Sequence, residues 1–123
     1  MAIQSAHRVE KPWGHEEIFA RTEAYVGKIL FIRAGEALSL QYHESKEETL
    51  RVLDGEVEFV TGRNVESLSP HRLGPGDIFH IEPGLLHRMI AIDDCRLLEV
   101  SSNHLDDVVR IDDRYGREGT REP

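Results

Sequence analysis

The chain holds one cysteine, one tryptophan and two methionines, and no apolar stretch in it nears the roughly 20 residues that a membrane span requires. The lone Cys95 excludes an intrachain disulfide framework and suits a reducing compartment, so a cytoplasmic location is expected. Positive charge is also scarce. Fifteen Lys and Arg stand against 23 Asp and Glu, a formal charge of -8, which argues against nucleic acid and anionic membrane as partners and leaves room only for a small anion where basic residues converge. Residues 1–7 lack the basic flank and apolar core of a signal peptide. There is no sustained 3.6-residue period and no internal repeat. At 123 residues the chain is expected to form one domain, 1–123.

What is present is strand chemistry punctuated by turns. Strands are expected at 26–33, 37–43, 49–53, 56–61, 78–81, 87–92 and 96–101, about eight in all. Asp54-Gly55 has the composition of a two-residue type I′ hairpin turn. Gly74-Pro75-Gly76-Asp77 suits a type II turn, and Pro83-Gly84 turns the chain toward His87. The segment 104–110 reads as one helical turn or an edge strand, and fraying is expected beyond Gly116. This pattern predicts an all-β, antiparallel jelly roll or barrel with a mouth for a ligand.

Four residues stand out by spacing: Gln41, His43, Glu48 and, about forty residues on, His87. Imidazole, carboxylate and amide oxygen all ligate divalent metals. Gln41 and His43 share one face of their strand, as chelation from a single strand requires. Glu48 shares its face with Leu50 and Val52, so an unpaired carboxylate there would be costly and a bound cation would relieve it.

The motif Gly35, five residues, Gln41, Tyr42, His43, four residues, Glu48, six residues, Gly55, followed by Gly76 to His87, resembles the two motifs of the cupin superfamily, with Gln41 in place of the usual first histidine. Three further segments resemble the cupin domain of type II mannose-6-phosphate isomerases: Lys11-Pro12-Trp13-Gly14, Leu38 to His43, and Asp107 to Arg117. The likeness spans about residues 9–117 and implies a double-stranded β-helix whose Gln41, His43, Glu48 and His87 hold zinc, with Mn, Fe, Co or Ni as alternatives. The nucleotidyltransferase domain often fused to that family is absent from the sequence, so guanylyl transfer is not expected.

Other residues carry two readings each. Lys28 alternates with Leu30 and Ile32 and either lines the cavity or snorkels to the surface; the resemblance favours the cavity. Glu99 is either a solvent-facing residue or, as the resemblance implies, a proton shuttle beside the substrate. Arg110, Arg114 and Arg117 lie in the segment matching the family's closing motif, where Arg110 and Arg114 are candidate phosphate contacts. Arg88 is expected to face outward and His80 to be structural. Trp13 is expected to cover a sheet edge or pack beneath the N-terminal segment.

The resemblance implies a metal-dependent aldose-ketose isomerase acting on mannose 6-phosphate and fructose 6-phosphate, with Glu99 and Lys28 as proton-transfer candidates. Two rivals remain: a dioxygenase, because His43, Glu48 and His87 alone form a two-His, one-carboxylate set, and a non-catalytic module that binds a sugar or sugar nucleotide. A homodimer is the expected assembly.

Overall fold

In the computed structural model, which describes residues 3–118, eleven strands form two facing antiparallel sheets. They are β1 (His7–Lys11), β2 (Gly14–Arg21), β3 (Val26–Ile32), β4 (Leu40–Tyr42), β5 (Glu48–Asp54), β6 (Val57–Gly62), β7 (Ser69–Leu73), β8 (Ile78–Ile81), β9 (Leu86–Ala91), β10 (Cys95–Ser101) and β11 (Val109–Asp112). The first sheet has the order β1-β2-β3-β10-β5-β8 and the second β11-β4-β9-β6-β7. From β3 onward the chain alternates between sheets at nearly every turn, which produces the expected jelly roll. Among the described residues no helix is long and apolar enough to cross a membrane.

The period-2 pattern sorts side chains as strand geometry demands. On β5, Glu48, Leu50 and Val52 are buried while Arg51 is exposed; on β8, Phe79 and Ile81 point inward and Ile78 outward. The inward apolar residues of both sheets form one core, in which Phe59 of the second sheet meets Phe79 of the first with ring centroids 4.2 Å apart.

Several expectations are corrected. Val26 does not open the first strand: β1 and β2 precede it and extend the first sheet beyond β3. Their inward positions alternate too weakly with polar residues to stand out in the sequence. β7 was likewise not anticipated; all its residues but Leu73 are exposed. The Asp54-Gly55 turn does not close a hairpin, because β5 pairs with β10 and β8 whereas β6 pairs with β9 and β7. Only Gly55 of the two has positive φ, +77°, which rules out type I′. A Cβ at Gly55 would collide with the backbone of Asp94 and Cys95, so the glycine is needed for close approach as well as for its dihedral.

At Gly74–Asp77 the expected turn forms, with the Asp77 amide donating to the Gly74 carbonyl at 3.0 Å and Gly76 at φ +90°. Within 104–110 the chain makes a turn at 105–106, with the Asp107 amide donating to the His104 carbonyl at 3.1 Å, and only Val109 and Arg110 enter the edge strand β11 on β4. Trp13 does not cover a sheet edge but packs, as the other expectation has it: it is 3% exposed and part of the core. Fraying does not begin at Arg117, which is buried and bonded to Asp113; residues 119–123 lie outside those described.

Candidate metal centre and its cavity

A cavity of about 290 Å³ opens between the sheets. β4 and β5 bring Gln41, His43 and Glu48 to its lining, His43 following β4 and Glu48 beginning β5, while His87 lies just behind them on β9, directly opposite Gln41 in the β4–β9 pairing. His43, Glu48 and His87 are 2%, 3% and 1% exposed.

The two imidazoles are oriented from behind. His43 Nδ1 lies 2.5 Å from the Asp107 carbonyl and His87 Nδ1 3.0 Å from the Leu85 carbonyl. A carbonyl only accepts, so Nδ1 is the donor in each ring, and Nε2 of a neutral imidazole so oriented presents its lone pair toward Glu48. Both Nε2 atoms are buried without a hydrogen-bond partner. They stand 3.6 Å and 3.7 Å from Glu48 Oε1, a separation that two ligands each about 2.1 Å from a shared ion would have. Two unmatched acceptors converging on a carboxylate form an arrangement that a cation completes. The three residues are thus a group competent to hold a divalent metal. Gln41 also lines the cavity, and its Oε1 accepts a hydrogen bond from Ser39 Oγ at 2.6 Å.

The protonation states agree with that role. Burial pushes the His87 pKa down to about 4, with the Glu48 charge opposing and His43 adding to the shift. Burial works against the Glu48 charge, but the Lys46 ammonium foremost overcomes it and holds the carboxyl well below its ordinary range.

Behind the ligands runs a chain of alternating charges on the inward faces of the first sheet. Lys46 Nζ is 2.8 Å from Glu48 Oε2 and 3.2 Å from Glu99 Oε2; Lys28 Nζ is 3.8 Å from Glu99 Oε2 and 3.2 Å from Glu16 Oε2; Lys11 Nζ is 3.8 Å from Glu16 Oε1. Lys28 and Glu99, opposite one another in the β3–β10 pairing, both face the cavity. Burial, then the nearby Glu48 charge, raise the Glu99 pKa against the pull of Lys46 and Lys28. For Lys46 burial disfavours the charge, yet Glu99 and Glu48 outweigh it and hold the ammonium above the ordinary lysine range.

Arg110 is buried and lines the cavity with Arg117. Arg114 does not reach it: the side chain is exposed and Nη1 donates to the Gly35 carbonyl at 2.6 Å. Arg88 pairs with Asp112, and His80 is an exposed partner of Glu47 and Thr49. Lys46 and Glu16 are among the charged cavity residues that sequence reasoning missed. Lys46 was within reach, since it shares the parity of Glu48, Leu50 and Val52. Glu16 lies on β2, which was not anticipated.

Residues 29–101 match the model of the family described as "Cupin domain". The chain is 33% identical over 120 residues to the mannose-1-phosphate guanylyltransferase ManC of Salmonella typhimurium, an alignment covering 90% of this chain but 23% of that protein. In structure it resembles KdgF from Halomonas sp., with a TM-score of 0.67 at 22% identity over 80% of this chain and 86% of the other. Oxalate decarboxylase from Bacillus subtilis superposes with a TM-score of 0.75 at 15% identity, covering 86% of this chain and 30% of the other. With the family model matched across β3 to β10 and a two-sheet jelly roll around the His-Glu-His group, this chain belongs to the cupin family.

Proposed function

We propose that the chain is a metal-dependent aldose-ketose isomerase for a sugar phosphate, with mannose 6-phosphate and fructose 6-phosphate as the pair. One observation carries this reading: His43 and Glu48 of the His-Glu-His group line a cavity that also presents Glu99, with Lys28 and Lys46 against it, and the buried Arg110. The similarity to a mannose-1-phosphate guanylyltransferase supports a sugar phosphate as the ligand class.

His43, Glu48, His87 and the Gln41 amide oxygen would hold the ion through two nitrogen and two oxygen donors, with zinc favoured by the resemblance to type II mannose-6-phosphate isomerases. A bound divalent ion would act as a Lewis acid toward the carbonyl oxygen and the neighbouring hydroxyl. The chain's own groups supply the rest. Glu99 takes the proton from C2 and returns it to C1 while a hydroxyl proton passes between the oxygens, so aldose and ketose interconvert through an enediol without any net gain or loss of atoms. Its raised pKa favours this task, because a base works best when its pKa nears the working pH. Lys28 and Lys46 hold the Glu99 carboxylate in place and Arg110 receives the phosphate.

The test is NMR of mannose 6-phosphate with zinc-loaded protein in deuterated water. The C2 proton signal is expected to fade with wild type and to persist with Glu99→Gln and His87→Ala. Wild-type protein with a full complement of metal and no exchange sinks the isomerase reading. A second reading, a non-catalytic sugar-phosphate module, draws on the coverage of only 23% of the guanylyltransferase; saturable binding without exchange would favour it.

A further inference from the structure

We infer that Asp107, outside the matched stretch 29–101, is a positioning residue for the metal centre: through two of its groups it sets both the loop between His43 and Glu48 and the ring of His43. The inference rests on the metal-centre part of the reading above and not on the isomerase reaction.

Four residues, 44–47, separate His43 from Glu48, and they must bend so that a residue ending one sheet's strand and a residue opening the other's meet at one point. A short segment of this kind leaves its amides without strand partners, and unpaired amides are costly. Asp107 supplies what they lack. Its Oδ1 accepts from the Glu44 amide at 3.0 Å, and its Oδ2 accepts from the amides of Ser45 at 2.7 Å and Lys46 at 2.8 Å. Three successive N–H groups closing on one carboxylate make a concave anion nest, here filled by the protein itself.

The backbone of the same residue reaches the metal ligand directly, since the Asp107 carbonyl accepts from His43 Nδ1 at 2.5 Å. Where the carboxylate seats the loop, the carbonyl is thereby seated behind the imidazole. The consequence reaches Glu48 as well, because the nest fixes the Lys46 backbone and the Lys46 ammonium pairs with Glu48 Oε2. One side chain on the segment before β11 thus governs the direction of two ligands. A residue that merely pinned the C-terminal segment would affect folding and leave affinity for the ion alone.

The experiment is calorimetric titration of zinc into the full chain, with the chelated protein melted in parallel to verify folding. Partners that orient metal ligands typically carry 10- to 100-fold in affinity. Asp107→Asn keeps size but turns one acceptor oxygen into a donor facing an amide, and is expected to weaken zinc binding about 10-fold. Asp107→Ala is expected to lose up to about 100-fold and, with cobalt in place of zinc, to shift the visible ligand-field bands. Asp112→Ala removes the Arg88 ion pair from the same segment without touching the loop and is expected to keep wild-type affinity. Wild-type affinity in Asp107→Asn overturns the inference, as does an equal loss in Asp112→Ala. Wild-type protein that takes up no ion overturns the metal-centre reading itself, and this inference with it.

Discussion

Glu48 and Glu99 share one ammonium: Lys46 Nζ lies 2.8 Å from the first carboxylate and 3.2 Å from the second, with all three side chains buried. The pairing ties the carboxylate suited to a metal to the carboxylate suited to proton transfer. Their ionisation is nonetheless set apart: against burial, Lys46 holds Glu48 well below its ordinary range, whereas burial and the Glu48 charge raise Glu99 against the pull of Lys46. Two carboxyls with opposite shifts in one cavity are the pattern expected where one is to stay charged and the other to exchange a proton.

Removing the shared ammonium leaves two buried carboxylates facing each other. Lys46→Met is therefore expected to destabilise the fold by about 3–5 kcal/mol, read as a lowered midpoint in urea denaturation. Adding Glu99→Gln should recover part of the loss, because one of the two stranded charges is then gone.

The ligands bind an ion only in the folded state, so metal and stability are linked. Chelation is expected to lower the melting temperature of wild-type protein, and Glu48→Gln is expected to abolish that response together with bound metal measured by elemental analysis. An unchanged melting temperature after metal has been stripped would contradict the centre.

The depressed pKa of His87 gives a defined pH dependence in the chelated protein. Between the ordinary histidine value of 6.5 and the folded value of about 4, the unfolded chain holds a proton that the folded chain refuses. Stability from this group is therefore complete above about 6.5 and is lost as pH falls through about 4. Glu99 slopes the other way, since its pKa is raised in the fold. Subtracting the melting curve of His87→Asn from that of wild type isolates the histidine, and the difference should grow upward across that window.

Arg110 and Arg114 are separated by the structure and should separate in binding. Arg110→Ala is expected to weaken mannose 6-phosphate by about 1.5–3 kcal/mol, the usual worth of a charged hydrogen bond. Arg114→Ala, whose side chain holds the Gly35 carbonyl away from the cavity, should leave affinity unchanged in the same calorimetric titration.

Gly55 tests the crossing between sheets. Gly55→Ala is expected to cost more than about 1 kcal/mol, from left-handed backbone strain together with the collision against Asp94 and Cys95, measured by denaturant unfolding.

Much of this protein was determined by the sequence alone. The inward direction of Glu48, the turn at Gly74–Asp77 and the ligand spacing follow from residue types at short range, because the pleat of a strand alternates regardless of its neighbours, whereas for Lys28 and Glu99 that alternation left an inward and an outward reading equally open. Only the tertiary structure decided which strands pair and which distant groups meet. Asp54-Gly55 has the same local chemistry in a hairpin as in a crossing between sheets, and the choice fell to the strands already flanking β5 and β6. Lys46 reaches Glu99 across 53 positions of sequence and Asp107 reaches His43 across 64, contacts that closure of the two sheets creates and that no local periodicity encodes.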